Sequence, residues 1–149
     1  MRITRRLEFD AGHRIPDHDS QCRHLHGHRY MIEISIEGRV VDAPGSTDNG
    51  MVMDFGEIKR IAWEKVVSQW DHAFLVWRED KCVVDFLASL PNHKTVIFNR
   101  VPTAENLAAA AFRILDTAYR DACGDTLRLE RVRLFETPNC WADATREEN

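Results

Sequence analysis

Two stretches of this chain alternate with a period of two, and each carries histidine on its apolar parity. Ile3, Leu7, Phe9, Ala11 and His13 share one parity, with Arg5 the exception, against Thr4, Arg6, Glu8 and Asp10. His26, His28, Tyr30, Ile32, Ile34 and Ile36 share a parity against Arg29, Glu33, Ser35 and Glu37. Residues two apart on a strand point to the same face, so both stretches read as half-buried strands. The fold they enter must place imidazoles beside its core, where an unsatisfied polar group is costly.

The rest of the chain adds helices. Gly38 to Gly50, with Pro44-Gly45 and Asp48-Asn49-Gly50, reads as a loop or hairpin connection. Asp54 caps a helix, Glu57 completes an acidic capping box, and Met53 and Ile58 suit a hydrophobic staple. Its buried stripe is Ile58, Ile61, Ala62 and Val66. Trp70 to Trp77 is mixed, Asp80 to Leu90 reads as a short helix, and Thr95 to Phe98 as a short strand. Thr103 caps a second long helix, with Leu107, Ala110, Ala111, Ile114, Leu115 and Ala118 inward and Gly124 past its end. Leu127 to Glu136 and Trp141 to Ala144 supply two more strands. The order strand, strand, helix, helix, strand, strand predicts an α+β fold with an antiparallel sheet of about four strands.

The 149 residues suit one domain, 1–149, large enough to fold without disulfides. A net charge of −4 removes the simple electrostatic case for nucleic-acid binding. No apolar run is long enough to span a bilayer, and charges interrupt the N-terminus where a signal peptide would be apolar. Cytoplasmic location is therefore expected, with Cys22, Cys82, Cys123 and Cys140 as free thiols.

Five of the seven histidines fall between His13 and His28. On a strand, His26 and His28 point the same way with Cα atoms about 6.5–7 Å apart, close enough to share a cation. If the first strand lies alongside, His13 supplies a third imidazole, and three histidines with an open position describe a catalytic Zn2+ site. Such a metal keeps its full charge and acts as a strong Lewis acid. His18, His24 and His93 read as exposed loop or strand-end residues, His24 in addition as a reserve ligand. Cys22, four residues before His26, fits equally a fourth ligand, a catalytic base or an inert thiol. Asp71-His72 is an acid–base pair if a turn or helix end lets the neighbours touch, and otherwise an ordinary surface pair. Glu136 follows Val132 and Leu134 on the apolar parity. Its carboxylate needs either a ligand with adjacent N–H donors or an outlet to water. Thr103 and Glu105 are fully explained as a cap and a dipole-favoured acid.

Taken together and in order along nearly the whole chain, these motifs resemble the 6-pyruvoyltetrahydropterin synthase / 6-carboxytetrahydropterin synthase family. The resemblance rests on Phe9-Asp10-Ala11-Gly12-His13-Arg14, Cys22-Arg23-His24-Leu25-His26-Gly27-His28, Met53-Asp54-Phe55, Trp70-Asp71-His72, Pro102-Thr103-Ala104-Glu105-Asn106 and Glu136-Thr137-Pro138. It implies that His13, His26 and His28 hold zinc, that Cys22 is a proton-moving base, and that Asp71 and His72 form a second acid–base element. It further implies that Glu136 anchors a pterin ring, supported by Thr103 and Glu105. The implied fold is the tunnelling fold, a four-stranded antiparallel sheet with two long helices on one face. Subunits assemble into a β-barrel, as a homohexamer of two trimers. The implied substrate is 7,8-dihydroneopterin triphosphate. The compact Cys-x3-His-Gly-His spacing resembles the bacterial 6-carboxy branch, which serves queuosine biosynthesis, and Cys22 argues against folate-pathway variants that use glutamate there. Arg78 to Val101 looks longer than its counterpart in the shortest family members.

Two other classes compete. A cupin-like metal-binding module would use His26, His28 and Glu33, but Glu33 has the opposite parity and no second histidine motif follows. A non-catalytic pterin-binding oligomer would keep the pocket and dispense with Cys22. The pterin-synthase reading expects a Glu33→Ala variant to retain its metal in full, measured by elemental analysis after dialysis; loss of the metal would favour the cupin-like reading.

Overall fold

A computed structural model describes residues 1–146, so the last three residues of the expected domain lie outside the described ones. Six strands form one sheet in the order β4-β3-β1-β2-β5-β6. They are β1 (Arg2–His13), β2 (His26–Gly38), β3 (Ala73–Trp77), β4 (Thr95–Phe98), β5 (Leu127–Thr137) and β6 (Cys140–Thr145). The expected sheet of four antiparallel strands is therefore too small and too uniform. β3 and β4 extend it beyond β1, and β3 runs parallel both to β1 and to β4. The reason is connectivity: a helix lies between β3 and β4, and such a crossover returns the chain in the same direction.

β1 and β2 pair antiparallel along their whole length, from Arg2 opposite Glu37 to His13 opposite His26. Their alternation sorts the sheet into two faces. Leu7, Phe9, Ala11, Tyr30, Ile32, Ile34 and Ile36 are buried on one, joined by Leu129, Val132 and Leu134 of β5. The other face is polar: Thr4 bonds Ser35, and Glu33 is held by Arg6 at 2.6 Å and Arg131 at 3.4 Å.

Two long helical segments cover the apolar face. The first runs from α1 (Phe55–Ala62) through a π-helical turn (Trp63–Val67) into α2 (Ser68–Trp70). Asp54 caps it, accepting from the Gly56 and Glu57 amides. Glu57 does not reach back to complete the box; it pairs with Arg60 instead. The second is α4 (Ala104–Cys123), capped by Thr103 and ended by Gly124 at φ +60°, a conformation that favours glycine. Ile58, Ile61, Leu107, Ala111 and Leu115 pack into the same core. The Tyr119 hydroxyl donates to the Ile58 carbonyl at 2.8 Å, tying α4 to α1. α3 (Lys81–Ser89) is the helix between β3 and β4. Asp80, at its N-cap, is buried and gripped bidentately by Arg14, the residue after β1.

The topology collects several chain ends at one corner: the end of β1, the start of β2, the end of β5, the start of β3 and the start of α4. The residues expected to hold metal, move protons or anchor a ring (His13, Cys22, His26, His28, Asp71, His72, Thr103, Glu105 and Glu136) sit on those ends or on the turn just before β2. Two substitutions test the core. Ile34→Ala should lower the unfolding free energy by about 2–5 kcal/mol. Tyr119→Phe should lower it by about 1–2 kcal/mol. Urea denaturation at fixed protein concentration reads both.

Candidate metal and acid–base site

His13 ends β1, His26 begins β2, and the register puts them opposite each other, while His28 stands opposite Ala11. The three rings pack at centroid distances of 4.5, 4.9 and 5.1 Å. One nitrogen of each lies within 4.8 Å of the other two. Gly27 makes this approach feasible, since a Cβ there would stand 3.0 Å from the Ala11 carbonyl oxygen across the pair.

The hydrogen bonds decide which nitrogen each ring presents. His13 Nδ1 lies 2.8 Å from the Pro102 carbonyl and His26 Nδ1 2.7 Å from the His24 carbonyl. A carbonyl only accepts, so both Nδ1 atoms carry protons and donate. The Nε2 atoms then turn inward, 3.1 Å apart. His28 Nε2 is buried with no hydrogen-bond partner, and burial holds this imidazole below its ordinary pKa despite the Glu136 charge. Three imidazoles with converging Nε2 atoms, two of them oriented by backbone carbonyls, fit a divalent metal, which needs deprotonated ligands and an oriented outer shell. The residues expected to hold a cofactor therefore fit one. His24 contributes its carbonyl, and its imidazole is exposed.

Glu136 reaches this cluster from β5. The β5–β6 register shifts between Phe135 and Thr137, so Glu136 sits at a bulge, a device that re-aims a side chain. Its Oε1 lies 3.1 Å from His13 Nε2 and 3.5 Å from His28 Nε2. The adjoining His13 holds the carboxyl below its ordinary pKa, against the effect of burial. Beneath the rings, Tyr30 is fully buried, stacks on Phe9, and keeps its hydroxyl without a partner. Burial pushes that phenol well above its ordinary range. Cys22 lies in a single 3-10 turn (Gln21–Arg23) and is half-buried. Its sulfur does not join the group of ligand atoms within 4.8 Å. All four cysteines are free.

Asp71 and His72 do touch, because the chain leaves α2 at this point. His72 takes φ +57°, rare for a residue with a side chain, and its Nδ1 lies 2.9 Å from Asp71 Oδ2. Burial opposes ionisation of Asp71, but the Asp10 amide, bonded at 3.0 Å, and His72 outweigh it and lower its pKa. This pair does not join the imidazoles. It groups with Asp10, on the polar parity of β1, and opens on a shallow cavity of about 530 Å3 lined also by Gly12, Gly27, His28, Arg29, Phe74 and His93. Within one chain the two clusters therefore stand on opposite faces of the same sheet end. Thr103 follows the carbonyl that orients His13, and Glu105 is exposed one residue into α4. Sequence reasoning missed the carbonyls of Pro102 and His24 and the buried hydroxyl of Tyr30. The backbone groups leave no residue signature, and Tyr30 reads simply as one more apolar position.

The family model described as 6-pyruvoyl tetrahydropterin synthase matches residues 2–147. A 6-carboxy-5,6,7,8-tetrahydropterin synthase of Rickettsia bellii is 36% identical over 143 residues, covering 96% of this chain and 99% of the relative. A probable 6-carboxy-5,6,7,8-tetrahydropterin synthase of Halobacterium salinarum is 34% identical over 134 residues, 90% of this chain and 79% of its own. Among solved structures, an uncharacterised protein of Wolinella succinogenes superposes with a TM-score of 0.77 at 20% identity, covering 98% of both chains. A Plasmodium vivax 6-pyruvoyltetrahydropterin synthase gives 0.70 at 19%, again over 98% of both. The fold is thus the tunnelling fold of these proteins, here with six strands. For the metal, a His28→Gln variant should bind Zn2+ at least about tenfold more weakly than the parent by calorimetric titration, whereas His24→Gln should bind it equally well.

Proposed function

The chain belongs to the 6-pyruvoyl tetrahydropterin synthase family and is an enzyme of that family; from that premise we propose that it converts 7,8-dihydroneopterin triphosphate to 6-carboxy-5,6,7,8-tetrahydropterin. Acetaldehyde and triphosphate are released, and the product feeds 7-deazaguanine (queuosine) biosynthesis in the cytoplasm. The observation that carries this reading is the meeting of three inward Nε2 atoms with the Glu136 carboxylate at one sheet corner. The names of the relatives, at 34–37% identity over nearly the full chain, favour the carboxy product.

His13, His26 and His28 would hold Zn2+. When bound, the ion supplies Lewis acidity toward the oxygens of the substrate side chain. The protein's own groups do the rest. His13 is fully buried, which keeps water from the floor of the site. Glu136, held ionised, accepts from the N–H edge of the pterin ring, with Thr103 and Glu105 framing that pocket. Cys22 removes a proton from the substrate side chain. Asp71 fixes the His72 tautomer through Nδ1 and leaves Nε2 for proton transfer.

His72 and the zinc imidazoles stand on opposite faces of one subunit, so a complete site takes groups from more than one copy. Among the described residues β4 and β6 are the edge strands of the sheet, where strands of another copy could add. Both facts support a homohexamer of two trimers closing a barrel. The test is to incubate the full-length protein with 7,8-dihydroneopterin triphosphate, with and without chelator, and identify products by mass. Expected are triphosphate, acetaldehyde and the 6-carboxy product, abolished by chelator and reduced at least about a hundredfold in Cys22→Ala. A 6-pyruvoyl product would move the enzyme to the other branch, and absence of triphosphate release from metal-replete enzyme would overturn the proposal.

A further inference from the structure

One residue separates the cap of α2, Asp71, from the start of β3, so His72 makes the whole turn between them. It does so at φ +57°, a left-handed conformation in which a Cβ crowds the backbone and which helix ends usually give to glycine. The turn also redirects hydrogen bonds. In a continuing helix the His72 amide would donate to the Ser68 carbonyl. Here it donates to the Asp10 carbonyl at 2.7 Å, while the Asp71 amide still reaches Val67 at 2.8 Å. The Ser68 carbonyl thus loses its helical donor, and the Asp71 carbonyl lies past the helix end. Lys94 serves both. Its ammonium donates to the Ser68 carbonyl at 2.8 Å and to the Asp71 carbonyl at 2.5 Å. Its own carbonyl accepts from the Phe74 amide at 3.0 Å. Lys94 therefore grips the chain on both sides of His72, by its side chain before the turn and by its backbone after it.

We propose that Lys94 is a positioning residue for the Asp71–His72 pair, holding the left-handed turn that keeps the imidazole against the carboxylate. The inference rests on the reading above, in which this pair moves protons. The two members are held differently. Asp71 has a second anchor, since its Oδ1 accepts from the Asp10 amide at 3.0 Å. The His72 side chain is 77% exposed, with Nδ1 on Asp71, so packing does little to fix the ring and the backbone angle decides where it points. If His72 relaxed into the extended conformation of the strand it precedes, neighbouring side chains would point to opposite sides and Nδ1 would leave Asp71. An ammonium suits the holding task. Its hydrogen bonds to the carbonyls are charge-assisted, and a cation is favoured at a helix C-terminus. Lys94 is not among the residues lining the cavity of about 530 Å3 beside His72, so it acts through the turn and not on a ligand. It stands just before β4, inside the Arg78 to Val101 excursion. That excursion therefore supports the acid–base pair as well as His13.

Lys94→Met keeps the aliphatic stem and removes the donors, whereas Lys94→Arg keeps charge and donors. Nitrogen-15 spectra of the side-chain imidazoles, recorded on the full-length, metal-replete protein at a pH where imidazoles are neutral, report the tautomer of His72, assigned by its loss in His72→Gln. The parent should show a single tautomer with the proton on Nδ1. Lys94→Met should show a mixture of tautomers. Its kcat with 7,8-dihydroneopterin triphosphate should fall at least about tenfold while KM stays within about twofold. Lys94→Arg should keep the parental tautomer and kcat. Urea denaturation checks that each variant is folded, and Lys94→Gln replaces the methionine variant if that one is not. A folded Lys94→Met with the parental tautomer and kcat would overturn the inference even if it were less stable, because a lysine that only braces the fold changes stability alone. That result leaves the functional reading intact. Undiminished turnover in His72→Gln would instead overturn the acid–base reading of the pair and this inference with it.

Discussion

The register of β1 against β2 is the constraint on which everything else in this molecule depends. It runs unbroken from Arg2–Glu37 to His13–His26. Because strand side chains alternate, a slip of β2 by one residue would carry Ile32 and Ile34 to the polar face and Glu33 into the core. The same slip would part His13 from His26. Packing and the histidine cluster are thus specified by one choice: burial of the isoleucine parity aligns the imidazoles, and the register that brings them together cannot drift without cost to the core. The polar face enforces the choice from the other side. Glu33 is buried there and paired with both Arg6 and Arg131, so a shifted register would strand its charge. The same pairing removes Glu33 from any cupin-like role, because it points away from the histidines it would have to join.

Sorting residues by face also explains why the chain carries two separate clusters of titratable groups. Ala11 and His13 point to the helices, while Asp10, between the parities that bury them, points to the opposite face and joins Asp71 and His72. Parity forbids these groups from meeting through the sheet of their own chain. A site needing both must bring the polar end of one sheet to the apolar corner of another. Under the proposed function, assembly of copies would bring the two groups together as well as cover edge strands.

What the sequence made legible follows from the range over which each signal acts. Alternation and capping are local, so β1, β2, α1 and α4 are readable within a residue or two at most ends. The three histidines are readable because a strand's period is fixed and the pairing of neighbours is a modest guess. Glu136 is readable as a carboxylate on the wrong parity for a core. β4 is readable as a short strand at Thr95 to Phe98, but β3 stays hidden in a mixed stretch and the parallel pairing of both is not readable, since five and four residues carry too little pattern to show their partners. Nor is the separation of Asp71-His72 from the histidines, which depends on where α2 ends and on the left-handed turn at His72. The carbonyls that set the imidazole tautomers are invisible in principle, because every residue has one and only the fold says which is near.

The segment from Arg78 to Val101, which from its length alone looks like a decoration, is part of the site's construction. Asp80 is buried at its start and clamped by Arg14, the neighbour of His13. α3 and β4 then carry the chain across and back, with β4 paired to β3, and β3 paired to Ala11–His13 of β1. The segment ends at Pro102, whose carbonyl takes the His13 Nδ1 proton. His13 is therefore held from both ends of one excursion: by an ion pair one residue along its own strand, and by a hydrogen bond where the excursion closes. Removing one partner of a buried pair leaves a stranded charge, worth about 3–5 kcal/mol when fully buried and less here because Arg14 is partly exposed. That energy is coupled to the direction in which an imidazole points. The two contacts orient the one histidine that faces His26 and Glu136 together.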